Sequence, residues 1–467
     1  MRAELHEGCS RWLGQKGGEY DELVGYHLEQ AVRHRLELGP LDEHGRELAG
    51  RAGELLAAAS RRATARGDLP AAVGLLERAA ALPSDGSHRA EVLLDLGRSL
   101  LETGNFARAE EVLRETTEVA ATEGDRALMA RALLERSTVR FYIERGASIA
   151  DYLRETRRAI TALDEAGDDP GLARAWWVVG EMRWLRCEFA AAEDALTRSL
   201  AHAERAGAQR DLSRARFYLA LAAIEGPTPV EAALRRCLEI REQAAGDQVL
   251  EAAVGYAIAS AEALLGRFDD ARKLAARSTA IYEELGLGFA LATWSRQPGT
   301  IELLAGDPAA AERIFRSGYE TLSSMGEKLN LSLIAASLAE SVYLQGRDEE
   351  AERLTVVSEE ATSPEDVWSQ VAWRSARAKI LAKRGELREA ERLAREAAEL
   401  IAETDALNMR AHALMSLVEV LAAAGRGEEA AESAAEALRL YEAKGNVVSA
   451  EKARALVTPG ALRTGAA

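Results

Sequence analysis

Seven side chains have the chemistry to hold an anion: Arg136, Arg140, Arg174, Trp177, Trp184, Arg216 and Arg296. A guanidinium presents a planar fork of donors that bonds two carboxylate or phosphate oxygens at once, and it stacks on an indole face. Arginines beside tryptophans therefore suit a carboxylate- or phosphate-bearing partner, and the expected one is a protein or an acidic, extended peptide. A local reading competes with this one. Arg136 and Arg140 are flanked by Glu135 and Glu144, which are within reach along a helix. Tryptophans at regular helical positions are more often core than platform, and Trp368 and Trp373 invite the same reading.

Reactive constellations are missing from the sequence. It holds no H-E-x-x-H, no G-x-S-x-G and no glycine-rich loop after a strand, so neither catalysis nor a catalytic residue is expected. Acid pairs such as Glu110-Glu111 and Glu349-Glu350 read as solvated helix faces. His27 and His34 stand two turns apart with no set of cysteines or carboxylates around them, so they read as structural, and neither metal nor cofactor is expected. Three scattered cysteines, Cys9, Cys187 and Cys237, do not make a disulfide framework and point to a reducing cytoplasm. A net charge of -17 argues against nucleic acid or an anionic membrane as partner. No apolar run approaches the roughly 20 residues of a membrane span, and Met1-Arg-Ala-Glu-Leu-His lacks the shape of a signal peptide, so the expected location is cytoplasmic.

The elements that must position these groups follow from a repeat. Gly226, Gly266, Gly306, Gly346, Gly385 and Gly425 fall about 40 residues apart. Ala271, Ala311, Ala351, Ala390 and Ala430 come five residues after the later glycines, and Ser278, Gly318, Ser358, Ala397 and Ala437 follow seven residues further on. Each unit reads as a helix ended by a glycine that can take positive φ, then a second helix. The second helix carries two small side chains on one face, two turns apart, which permit close approach to a neighbour. One hairpin cannot cover its own apolar face, whereas a stack of hairpins can. Strand alternation is absent and Ala, Leu, Glu and Arg dominate, so the expected fold is all-α: a right-handed α-solenoid of about ten hairpins.

Four segments result. Residues 1–45 form an N-terminal helical linker or cap, with a helix over Glu22 to Arg35 closed by Gly39-Pro40 and a loop over Gly14 to Gly18. Residues 46–445 form the array, with a loop at Pro83-Ser84-Asp85-Gly86. Residues 446–457 hold a C-terminal capping helix, and residues 458–467 read as a disordered tail. Three turns depart from the pattern. Gly146 to Asp151 has aspartate in the alanine slot, Cys187-Glu188-Phe189 stands where a turn glycine belongs, and Gly226-Pro227-Thr228-Pro229 lacks two backbone donors. Pro298-Gly299 should kink or split the helix that contains it.

Gly97, Gly104 and Ala109, and likewise Trp176, Gly180 and Ala192, resemble the small and aromatic slots of the tetratricopeptide repeat, here lengthened from about 34 residues. Nearly the whole chain resembles the C-terminal region of bacterial signalling proteins that join a nucleotide cyclase domain, a signal-transduction ATPase domain and a repeat array. Gly25-Tyr-His-Leu-Glu-Gln-Ala31, Arg66 to Ala79, Thr404 to Arg410 and Lys444 to Glu451 carry that likeness. No G-x-x-x-x-G-K-[S/T] loop is present, so the likeness covers the non-catalytic part alone. In tetratricopeptide arrays the first helix of each hairpin lines the concave surface, and the resemblance puts the seven arginines and tryptophans there. It implies an interaction scaffold or sensor module that binds a protein or acidic peptide, a cyclase or ATPase signalling partner among the candidates. The alternatives are a small-ligand-sensing regulatory array, or the repeat region detached from such a protein.

Overall fold

A computed structural model describes the chain apart from residues 17–19, 84–85, 245 and 458–467. The end of the expected glycine loop, part of the loop at Ser84-Asp85 and the expected disordered tail therefore lie outside the described residues. Among the described residues there are helices and no strands, ordered as antiparallel hairpins from Arg2–Gly14 to Val447–Arg454. The expected all-α array of stacked hairpins is what forms. Residues 1–45 contain one helix more than the sequence suggested, because Arg2–Gly14 precedes Asp21–Leu36.

The turn grammar has a direct backbone cause. Gly266, Gly306, Gly346, Gly385 and Gly425 all take left-handed φ between 73° and 84°, which ends each first helix. Gly226 does not, since Pro227 follows it; it is extended at φ -79° and ψ -163°. In the Trp184 hairpin Cys187 stands in for the glycine with φ 57°, the one non-glycine residue with positive φ among those described.

The small slots do what their size allows. Ala271, Ala311, Ala351, Ala390 and Ala430 are fully buried. A Cβ on Gly97 would lie 2.5 Å from Leu113, one on Gly180 2.7 Å from Leu196, and one on Gly299 2.4 Å from Phe315. In each hairpin a large side chain of the second helix thus fills the space over a glycine of the first.

The chain divides into two compact units: residues 1–139, 158–171 and 285–287 in the first, and 140–157, 172–284 and 288–467 in the second. In the first unit, Glu7 is held by Arg35 and by His44 at 3.1 Å, and Arg78 donates to Glu29 at 2.6 Å.

In the second unit the array returns on itself along a polar seam. Arg145 donates to Glu360 at 2.9 Å, and the backbone N–H of Ala150 donates to Glu365 at 2.7 Å, each pair 215 residues apart. The N–H groups of Phe189 and Ala190 both donate to Asp405 at 2.8 Å. Glu365 and Asp405 thereby supply acceptors to the orphan donors at the starts of helices Ile149–Ala166 and Phe189–Ala206, where negative charge is also favoured by the helix dipole. At the next position the turn is Gly226-Pro227-Thr228-Pro229, whose prolines have no N–H to offer, and the chemistry inverts. The fully buried Lys444 donates to the carbonyls of Ala223, Gly226 and Thr228 at 3.1, 2.7 and 2.6 Å. Loops between late hairpins thus dock on the turns inside early ones.

One helix is divided as expected. Pro298 cannot bond the carbonyl of Trp294, and helices Gly288–Trp294 and Arg296–Ala305 are separated at Ser295. The amide of Gln297, turned to satisfy its surroundings, donates to the Trp294 carbonyl at 2.9 Å.

Close by in sequence, Glu327 caps helix Leu329–Tyr343, accepting from the backbone of Asn330 and Leu331 at 2.9 Å. It is fully buried, and burial pushes its carboxyl from 4.5 up to about 7. A folded-state value above the unfolded one means that the native chain binds more protons between pH 4.5 and 7, so this group's contribution to stability grows as pH falls through that window. Measured against Glu327→Gln by urea unfolding, the wild type should gain about 2–3 kcal/mol on going from pH 8 to pH 4.5.

Candidate functional site

The tryptophan and arginine chemistry converges inside the second unit. Trp184, at the end of helix Asp169–Leu185, stacks on Trp368, at the start of Val367–Lys383, with ring centres 4.5 Å apart and planes at 13°. The Arg296 guanidinium lies 4.8 Å from the Trp368 ring centre and 5.8 Å from that of Trp184. Its Nη2 donates to Glu225 at 2.7 Å. Phe189 meets Trp184 edge-on at 6.2 Å. Trp184, Trp368 and Arg296 are 7, 7 and 8% exposed, so the cation is held largely out of water, where its attraction to a ring face is strongest.

These groups border a cavity of about 30 Å³ with Glu181, Tyr218, Thr293, Trp294 and Asn330. The break at Ser295 is what allows both Trp294 and Arg296 to face it: two residues apart on an unbroken helix, they would point about 200° apart. The indole N–H of Trp184 and the hydroxyl of Thr293 are buried with no hydrogen-bond partner among the described residues. The volume suits one or two water molecules. A drug-sized ligand takes about 300–1,000 Å³.

A second group adjoins the first through Tyr218. Glu181 accepts from Tyr142 at 2.8 Å and from Tyr218 at 3.2 Å, and burial followed by the Glu181 charge drives both phenols well above their usual range. Tyr218 meets Trp177 edge-on at 5.2 Å. Arg174 and Arg214 lie 4.4 and 4.9 Å from the Trp177 ring centre.

Of the seven residues singled out in the sequence, Trp184 and Arg296 therefore share one cluster, and Arg174 and Trp177 share its neighbour. Arg216 is half-buried on helix Gln209–Glu225, its Nε without a hydrogen-bond partner among the described residues. Arg140 stays near the surface of the second unit, donating to Glu155 at 3.0 Å, with side-chain exposures of 46 and 44%. Arg136 belongs to the first unit, where it donates to Glu110 at 2.7 Å. Trp176 is half-buried under Arg198, 4.6 Å away.

The sequence reading missed Tyr218, Trp294, Glu181 and Glu225, and it set Trp368 aside as core. No periodic signal could have found the last pairing. Trp184 lies three residues before its turn and Trp368 seventeen before Gly385, at opposite ends of their helices, and only the seam brings them together. A further polar group, also unforeseen, follows along the first helices: Lys379 pairs with Glu340, and burial pushes the neighbouring His412 down. His27 and His34 are joined by His6, whose Nδ1 is 2.9 Å from that of His27. Among the described residues no group of three or more His, Cys, Asp or Glu side chains is placed to hold a metal ion, and no helix is long and apolar enough to cross a membrane.

Residues 63–134 match the tetratricopeptide-repeat family model. No curated protein matches the chain. Solved structures to which the chain is similar include yeast Tom70, 14% identical over 97% of this chain and 95% of that one with a TM-score of 0.35. Others are a Rap protein complexed with competence and sporulation factor, 13% identical over 74 and 99% with a TM-score of 0.44, and the apo form of the quorum sensor NprR from B. thuringiensis, 13% identical over 82 and 97% with a TM-score of 0.36. Residues 63–134 are thus similar to tetratricopeptide hairpins, and the chain as a whole is an array of stacked helical hairpins.

Proposed function

We propose that the chain is a non-catalytic interaction module that reads carboxylates of an acidic protein segment with its arginines. Arg140 serves at the accessible edge of the second unit, and Arg296 serves inside it. The observation that carries this reading is the Arg296 guanidinium, laid on the Trp184–Trp368 stack and bonded to Glu225 at 2.7 Å. A carboxylate of the chain itself occupies the fork that a partner's carboxylate would take, as Glu155 does at Arg140 and, in the first unit, Glu110 does at Arg136. A partner binds by exchanging one carboxylate for another. Since the inner arginines are buried, access to them requires the second unit to loosen. The likeness to repeat regions of cyclase–ATPase signalling proteins makes such a protein the first partner to try.

Titration of a glutamate-rich peptide, followed by tryptophan fluorescence, tests the proposal. Binding should weaken steeply with salt, fall about tenfold in Arg140→Ala and be lost in Arg296→Ala. Equal affinity in wild type and both variants would refute the assignment. A small anionic ligand is the second reading, favoured by the Trp184 and Thr293 donors, which have no hydrogen-bond partner among the described residues; since the cavity of about 30 Å³ holds one or two waters, it too requires the second unit to loosen. It predicts thermal stabilisation by a small dicarboxylate and no response to the peptide.

A further inference from the structure

Histidine is the side chain whose charge changes nearest neutral pH, so imidazoles set against one another make a contact that acid can break. Three meet in the first unit. His6 lies on helix Arg2–Gly14, and His27 and His34 lie two turns apart on helix Asp21–Leu36. All three are half-buried. The ring centres of His27 and His34 stand 5.2 and 5.7 Å from that of His6, with planes tilted by 41 and 37°. The Nδ1 atoms of His6 and His27 are 2.9 Å apart, so one carries a proton and the other a lone pair. The trio is not placed to hold a metal ion; what it can take up is protons. The carboxylates nearby are engaged elsewhere. Glu7, beside His6 on its own helix, is turned to Arg35 and to His44 of helix Glu43–Ala65. Glu29 is taken by Arg33 and by Arg78, whose guanidinium also lies 5.7 Å from the ring centre of Tyr26, itself edge-on to His27. Glu37 faces His34 at 3.2 Å.

We infer that the His6–His27 contact is an acid-released clasp that holds helix Arg2–Gly14 to helix Asp21–Leu36. With both rings neutral, or with one of them charged, a single N–H bridges the two Nδ1 atoms. With both charged, two donors and two positive charges face each other across the gap, and a protonated His34 adds a third. The rings then separate and the helix lifts, baring Ala3 and Leu13, which it buries when docked. Protonation of His44 acts in the opposite sense, since it strengthens the pairing with Glu7. That imidazole is 52% exposed, however, and an exposed pair contributes little. Burial, followed by His27 and His34, pushes the His6 imidazole below its usual 6.5. A folded-state value below the unfolded one means that the clasp's stability is complete above pH 6.5 and is lost as pH falls below it.

Hydrogen exchange of the full chain at about pH 7.5 and about pH 5, corrected for the intrinsic rate at each, tests this. Protection of helix Arg2–Gly14 should fall about tenfold between the two, the change that one unit of pKa displacement gives, while helix Leu69–Ala80 of the same unit keeps its own. His6→Gln and His27→Gln each retain a donor and an acceptor and take up no proton, so in either variant the protection of Arg2–Gly14 should hold to within about twofold. Equal wild-type protection at the two pH values would overturn the inference. So would a loss that persists undiminished in both variants, which would place the acid response elsewhere.

Discussion

Lys444→Met loses about 3 kcal/mol of stability, with the loss confined to the second unit. Lys444 is fully buried and supplies donors to three backbone carbonyls around Gly226. Burial brings its ammonium down to about 8, which leaves it charged at neutral pH and makes these the stronger, charge-assisted kind of hydrogen bond. Methionine matches the length of the side chain and brings no donor. Each orphaned carbonyl then costs about 1–3 kcal/mol, partly offset because a buried charge is also removed. Urea unfolding reports the total. Hydrogen exchange locates it: amides at the starts of helices Val230–Gln243 and Val447–Arg454 should lose protection first, while Leu69–Ala80 in the first unit keeps its own. Uniform loss of protection, or none, would count against a seam closed by this lysine.

Trp368→Ala is the second large effect, about 3–5 kcal/mol. The substitution removes a ring stacked on Trp184 and lying under Arg296, with Phe189 edge-on at 5.9 Å, and the site is packed too closely on several sides to collapse. It also takes away the surface that orients the guanidinium. Near-ultraviolet circular dichroism should lose the coupled indole signal, and a cycle with Trp184→Ala should show coupling of about 1 kcal/mol. Additive losses from the two variants would mean that the stack contributes no more than its burial.

These two positions mark the boundary of what the sequence carries. Turns and small slots are local: a glycine that must take positive φ and an alanine that must let helices approach recur with the hairpin, and the period exposes them. Even the exceptions are local. Cys187 shows its left-handed turn by standing where a glycine belongs, and Pro298 shows the break at Ser295 by the bond it cannot make. The seam joins residues 215 to 222 apart, so no neighbour in sequence reports it. Asp405 looks like any acid before a helix, and Lys444 like any basic residue in a last turn. The arginine and tryptophan chemistry is legible by type and slot, which is why the sequence singles out Trp184 and Arg296. Their partners Trp368 and Glu225 became visible only with the seam closed.

The central claim is that Glu225, a carboxylate of the chain itself, stands in the inner Arg296 fork where a partner's would bind. Its most direct test compares affinity for the glutamate-rich peptide in wild type and in Glu225→Gln, with the fold of each checked by its melting transition. The substitution keeps the side chain's shape and removes the charge that competes for Arg296, so affinity should rise about tenfold, equivalent to about 1.4 kcal/mol. An unchanged or weaker affinity in a folded Glu225→Gln would contradict the account and leave Arg296 with Glu225 as a purely structural pair.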